Sequence, residues 1–464
     1  MNWLFWNIRG IGKGEKCVSI RKLIDKNKVS LLGMVETKHR HSFGRRVRRL
    51  WGGDVFDWCE SLASDTHRGG IVAIWDSTKF SVSQRFIGER WIVLEGCLND
   101  VHFDCCVGIV YGPNDRTGRS TMFDRLKVLF QSINKPILLL GDFNEVMHPS
   151  ERLGQFRYDA SMRDFLDWIQ DLQLIDVPLH GIRFTWGRND SQSRLDRCLC
   201  DNEWLIKFPE MRLEGLKRGV SDHNPLLLSL DKMINWGPKP FRVLDCWFLN
   251  PEFKKFLQHE WSNLQNLSLV NKMKALKGPV KMWSKEIFGC MDSNVNKLEG
   301  VVHELQMLGV TRRLNDMESA RLRAAQNHLH AWMVRRERMW RQKARSYGFS
   351  IKDHNTKFFH AMTVVKRKRN EITSLEIDGR VISGVQNLKS EVSRYFADHF
   401  AQDNTPELEF DLGDHTTISA DQVRFLEAIP SREEVKFAVW ACGTDKAPGF
   451  DGLNFKFIRN VGID

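Results

Sequence analysis

Across the first half of this 464-residue chain, short apolar runs end repeatedly in a carboxylate, an amide or a histidine. Residues 137–140 form an unbroken aliphatic stretch between Pro136 and Gly141, the pattern of a fully buried strand. Asp142, Phe143 and Asn144 follow at once. "FWNIRG" places Asn7 at such an exit, "LLGMVETK" places Glu36, and "GIVYGPN" places Tyr111 and Asn114. "RLDR" offers Asp196, and "SDHNPL" offers Ser221, Asp222 and His223 before the last strand. A single polar residue of this kind is ordinarily a turn or a cap. The recurrence points to chemistry: rigid strand ends meeting at one sheet edge can hold a hard cation and a phosphate.

The elements that must position these groups read as short strands with a few helices between them. The apolar runs predict strands over 3–7, 31–36, 70–75, 91–97, 103–111, 137–142, 184–186, 195–199 and 225–230. Helices are predicted over 19–26, 120–132 and 161–172, each opening on a serine suited to an N-cap. The expected fold class of residues 1–230 is α/β, built on two packed sheets. "NWGPKP", 235–240, interrupts the pattern and marks a boundary. Beyond it come long helical stretches, notably 319–346, with Leu322, Leu329, Trp332 and Trp340 on an apolar side. "SLEIDGRVIS", 374–383, predicts a hairpin around Asp378-Gly379.

At 42% hydrophobic and 27% charged residues, the composition is that of a globular protein with a sizeable core. No apolar stretch reaches the roughly 18 residues of a membrane span, and the N-terminus is charged too early for a secretory signal. Ten scattered cysteines without a C-x-x-C pair suggest free thiols in a reducing compartment. The expected location is therefore intracellular, nuclear or cytoplasmic. The net charge of +11 is uneven. Residues 1–230 carry 33 Lys/Arg against 29 Asp/Glu, 271–370 carry 22 against 8, and 371–464 carry 9 against 17. The surplus in 271–370 suits a polyanion-binding element, although a solvated helix face would look the same. Trp332, Trp340 and Phe358 there could stack bases, but their helical spacing also suits a core.

"WNIRG", "VETK", "VYGP", "LLLGDFNEV", "FTWGR", "RLDR" and "SDHNP", in this order over residues 1–230, resemble the endonuclease/exonuclease/phosphatase superfamily. These are metal-dependent phosphoesterases related to abasic-site endonucleases. More closely, the set resembles the endonuclease at the N-terminus of the second open reading frame of plant LINE-type non-LTR retrotransposons. Residues 343–370 resemble the connecting region of those elements. "DKAPGFDGLNFKFI", 445–458, resembles the loop that opens their reverse transcriptase, with Phe450 in place of a usual proline.

The resemblance implies an endonuclease/exonuclease/phosphatase-like sandwich over 1–232, a basic helical connecting region over 233–370, and a linker with a truncated polymerase start over 371–464. It implies Mg²⁺, with Mn²⁺ as an alternative ion, bound chiefly by Glu36 with Asp222 at a second position. Asp142 would take a proton from the attacking water, Asn144 and Tyr111 would contact the phosphate, and Asn7 would fix Asp142 and the metal site. His223, oriented by Asp196, would stabilise developing charge. Arg9, Thr185 and Ser221 would be phosphate or DNA contacts. Arg9 stands where abasic-endonuclease relatives carry an acid, which suggests a single-metal site leaning on Glu36. The implied activity is nicking of duplex DNA, which in the family primes reverse transcription, with element RNA as a further partner of 271–370. The chain stops before the polymerase aspartates of that family, so no polymerase activity is expected of it. A truncated remnant that only binds nucleic acid is the alternative, and a small-molecule phosphoesterase the third reading.

Overall fold

Alternation along each strand decides which face it offers, and in this chain it sorts side chains into two layers of contact. The computed structural model describes every residue except 13, 40, 64–68, 155–156, 290, 346–355, 378, 402–417, 445–447, 450 and 462–464. The chain divides into two units, Met1–Asn235 with Val364–Leu388, and Trp236–Thr363 with Lys389–Asp464.

The strands of the first unit are β1 (Asn2–Asn7), β2 (Val29–Val35), β3 (Asp57–Ser61), β4 (Ile71–Trp75), β5 (Phe80–Ile87), β6 (Trp91–Leu98), β7 (Phe103–Tyr111), β8 (Ile137–Asp142), β9 (Ile175–Asp176), β10 (Leu179–His180), β11 (Trp186–Arg188), β12 (Ser191–Ser193), β13 (Asp196–Cys200), β14 (Arg212–Gly215) and β15 (Leu226–Ser229). They make one mixed sheet in the order β10-β14-β15-β1-β2-β4-β3 and a second in the order β5-β6-β7-β8-β13-β9, with β11 and β12 as a separate hairpin. The expected two-sheet α/β sandwich is the observed one.

Helices α1 (Gly14–Asn27) and α2 (Gly44–Trp51) cover the first sheet, where Leu4, Trp6, Leu32 and Met34 share their core. Helices α3 (Arg116–Ser132) and α4 (Ala160–Asp171) cover the second, against Val93, Cys106, Val110, Leu139 and Leu199. Phe165, Trp168 and Ile169 put one face of α4 into that core, and full burial of such side chains stabilises by roughly 1.5–3 kcal/mol each. Alternate residues of the central strands face inward between the sheets. The sheets approach closely there: a Cβ on Gly33 would lie 2.5 Å from Ile109.

The helix starts differ from expectation. Asp115 caps α3 by accepting from the Gly118 N–H, and Asp159 caps α4 by accepting from Met162. Both carboxylates stand upstream of the serines expected to cap. The Ser161 hydroxyl serves Arg119 and Glu145 instead.

Val364–Leu388 completes the first unit. It includes the end of α5 (Thr356–Arg369) and the hairpin of β16 (Ser374–Ile377) and β17 (Arg380–Ser383), whose turn residue Asp378 lies outside the described residues. Glu371 pairs with Arg212 at 3.0 Å, Arg367 with Glu210 at 3.0 Å, and the Lys368 ammonium donates to the Met211 carbonyl. Burial there brings the Lys368 pKa down to about 8.

The second unit is helical. Trp247, Phe253, Leu257, Trp283 and Phe288 share a core with Leu453, Phe457 and Val461 from the end of the chain. The long helix expected over 319–346 runs from Asp316 to Ala344, opened by an Asn315–Glu318 capping box. Trp332 packs edge-on to Phe288 at 5.5 Å, and Trp340 lies 4.0 Å from the His360 ring. Both rings thus have intramolecular partners. The Phe358 side chain and Phe450 lie outside the described residues.

Candidate active site

Strand register brings the polar ends together. Asp142 closes β8, opposite Tyr111 of β7 on one side and Asp196 of β13 on the other. In the facing sheet Asn7 closes β1 opposite Val35, and Glu36 comes next in the chain. Inward-facing positions such as Leu138, Leu140 and Asp142 alternate with outward ones, so each strand delivers its last polar side chain to the same inter-sheet edge.

Asn7 ties the two sheets at that edge. Its fully buried amide donates to Glu36 Oε1 at 3.0 Å and to Asp142 Oδ2 at 2.8 Å, while its oxygen accepts from the Arg9 N–H at 3.1 Å. Asp142 Oδ1 accepts from the Asn144 N–H at 3.0 Å, and the Asn144 side chain donates to the Gly112 carbonyl at 2.6 Å. On the far side, His223 Nδ1 meets Asp196 Oδ2 at 2.9 Å and its Nε2 faces Asp142 Oδ2 at 3.8 Å. Arg9, Glu36 and Asn144 all have left-handed backbone, with φ of 46°, 52° and 51°. Strain of this kind, about 1–3 kcal/mol per residue, persists where the surroundings over-determine a side chain's direction.

Charge and burial set the protonation states. Burial and the neighbouring Asp196 charge push the Asp142 carboxyl up, to about 7. Burial would lower the His223 pKa, but the carboxylates of Asp196 and Asp142 outweigh it and raise the imidazole to about 9. Burial, together with the charges of Glu36 and Asp142, holds the Tyr111 phenol well above its ordinary value. Asp222 sits lower than usual despite partial burial, because Arg9 and the His223 charge stabilise its carboxylate.

All eleven residues expected from the sequence lie in or against this cluster, but two turn their side chains into the fold. Thr185, expected as a DNA contact, is fully buried, and its hydroxyl accepts from the Leu195 and Asp196 N–H groups at 3.0 Å each. Ser221, expected as a phosphate contact, donates to the Asn7 carbonyl at 2.7 Å and accepts from the His223 N–H. Both brace neighbours rather than face the cleft. The cleft itself has a volume of about 900 Å³ and is lined by Glu36, Tyr111, Asn144 and His223, with Arg9, Lys38, Arg152 and Arg188 among its cations.

Several contributors were not singled out in the sequence, although Trp186 lies in "FTWGR", Lys38 in "VETK" and Glu145 in "LLLGDFNEV". Trp186 donates from its indole to Asp222 at 3.2 Å and bridges His223 through the backbone. Lys38 stands 3.4 Å from Glu36. Arg119 and Glu145, both buried, pair at 2.8 Å behind the Asp142–Asn144 loop. A hydrophobic-core position and a buried ion pair are indistinguishable from surface charges until the fold is known.

The donor set fits a hard divalent cation. It consists of carboxylate oxygens, and Asp196 Oδ1 and Asp222 Oδ1 are buried without a hydrogen-bond partner. Asp142, Asp196 and His223 each bring a ligand-type atom within 4.8 Å of the others. Glu36, which lines the cleft, and Asp222, whose Oδ1 has no hydrogen-bond partner, add further carboxylate oxygens.

Among curated proteins none matches the chain. Among solved structures it is similar to an AP endonuclease from Archaeoglobus fulgidus, at 16% identity and TM-score 0.40, over 50% of this chain and 100% of that one. It is also similar to the endonuclease domain of TRAS1, a telomere-specific non-LTR retrotransposon, at 14% identity and TM-score 0.39, over 50% and 99%. A third is the mannosyl-6-phosphatase Bt3783 of Bacteroides thetaiotaomicron, at 13% and 0.37, over 50% and 100%. Residues 4–223, the stretch that supplies every strand end of the cluster, match the model of the Endonuclease/Exonuclease/phosphatase family.

Proposed function

We propose that the first unit is a Mg²⁺-dependent endonuclease that nicks one strand of duplex DNA by hydrolysing a phosphodiester. The observation that carries this reading is the continuous run of polar contacts Asp196–His223–Asp142–Asn7–Glu36 across the inter-sheet edge. Glu36, with Asp222 at a second position, would hold the ion, which when bound supplies positive charge to a phosphate oxygen. Asp142, made more basic by burial, takes the proton of the attacking water and aims its oxygen at phosphorus. Asn7 keeps Asp142 and Glu36 at fixed separation. Asn144 and Tyr111 donate to non-bridging oxygens, and Arg9 adds charge at the phosphate. The His223 cation, held by Asp196, meets the negative charge that builds up in the transition state.

On this reading residues 1–232 are the nuclease, 233–370 a connecting region whose basic stretch 271–370 holds DNA or element RNA by phosphate contacts, and 371–464 the start of a reverse transcriptase in a protein of plant LINE-type descent. The ordered motifs and the charge asymmetry support this assignment.

Conversion of supercoiled plasmid to the open circle, with Mg²⁺ and with chelator, tests the reading. The unmutated chain should nick only with metal, and Asp142→Asn and His223→Ala should each lose on the order of 10²–10⁴ in rate. Equal inactivity of all three with DNA binding retained would overturn the enzyme in favour of a binding protein.

A further inference from the structure

Arg9 is fixed more firmly than a residue with 37% of its side chain exposed needs to be. Its N–H is tied to Asn7, and its carbonyl, like that of Ile8, accepts from the Lys16 ammonium. Its guanidinium then reaches Asp222 through Nη1 and stands 3.7 Å from Glu36 through Nε. The same Asp222 oxygen, Oδ2, accepts from the Trp186 indole, and Oδ1 is buried without a partner. A positive charge of fixed position therefore lies between Glu36 and Asp222, the two carboxylates assigned above to the ion. A divalent ion placed there would meet that charge in a partly desolvated site, where like-charge repulsion is weakly screened.

We propose that Arg9 is the resident cation of the Asp222 pole, and that by occupying it Arg9 limits the centre to one divalent ion, at Glu36. This deepens the metal-dependent reading given above and rests on it. The guanidinium supplies at Asp222 the charge that a second ion would otherwise bring. It cannot dissociate or be chelated, and Arg9 lines the cleft, so a guanidinium N–H not spent on Asp222 is available to a phosphate oxygen there.

The test counts ions, not turnover. Mn²⁺ is titrated into the full chain and the free ion is followed by its EPR signal. The unmutated protein should bind one Mn²⁺. Arg9→Gln, which keeps length and polarity without charge, should bind two. Adding Asp222→Asn to Arg9→Gln should return the count to one, and circular dichroism of each variant checks the fold. Two ions on the unmutated chain, one ion on Arg9→Gln, or none on either overturns the proposal. Plasmid nicking by the same unmutated sample separates the two ideas. A correct ion count without nicking sinks the nuclease reading alone, and nicking with two ions bound sinks the Arg9 assignment alone.

Discussion

His223 is pulled both ways, by burial toward neutrality and by two carboxylates toward charge, and the carboxylates win. Asp196 does this from a fully buried position, with its N–H anchored on Thr185 and one oxygen on the ring. Asp196→Asn keeps the shape and removes the charge. It should lower the nicking rate by about 10²–10⁴ through a less charged, less oriented imidazole, while DNA affinity changes little. An equal loss in rate and in DNA binding would show that Asp196 only supports the fold. At this scale the sequence was informative about which polar residues meet at one edge, because Asn7, Glu36 and Asp142 each end an apolar run and His223 precedes one. It did not reveal which way a small hydroxyl points. Thr185 and Ser221 read as outward contacts, yet each is spent on a backbone group, since a buried hydroxyl without a partner would cost about 1–3 kcal/mol.

Among the elements, β8 and β13 matter most, and a buried ionic knot holds β13 to the loop after β8. Arg197 is fully buried and pairs with Glu151 and, at 3.1 Å, with Asp176, and Arg194 binds the same two acids. Arg197→Met should destabilise the first unit by about 1.5–3 kcal/mol, because Glu151 and Asp176 each lose a charged hydrogen-bond donor while keeping Arg194. Urea unfolding of the variant beside the unmutated chain measures this, and a change under about 1 kcal/mol would contradict it. The knot was illegible beforehand, since "RLDR" and the acids at 151 and 176 read as ordinary surface charge. The continuous apolar strands were legible because a sheet buried on both faces needs no polar alternation. The short or polar strands β3, β5, β9, β10, β12 and β14 were not, because two to eight residues of mixed character carry no periodicity. Helix starts slipped where Asp115 and Asp159 outcompeted the downstream serines as caps.

On the scale of the molecule, the first unit is discontinuous in sequence, closed by Val364–Leu388 through the Lys368, Arg367 and Glu371 contacts. Nothing in composition marks a segment that returns to an earlier unit, so this part of the organisation was invisible in the sequence. It has a consequence in pH. Lys368 falls from an ordinary 10.5 to about 8 in the folded chain, so between those values the unfolded chain holds a proton that the folded one has released. Its contribution to stability therefore rises with pH from about 8 to about 10.5 and is flat below and above. Lys368→Met should lack that rise in the difference between the two unfolding curves, and parallel curves across the window would contradict the burial assigned here. If a water oriented by Asp142 attacks phosphorus in DNA, nicking in ¹⁸O-labelled water should leave an extendable 3′-hydroxyl and one solvent ¹⁸O on the 5′-phosphate, and Asp142→Asn should abolish both. Label absent from that phosphate, or unchanged nicking by Asp142→Asn, would contradict it.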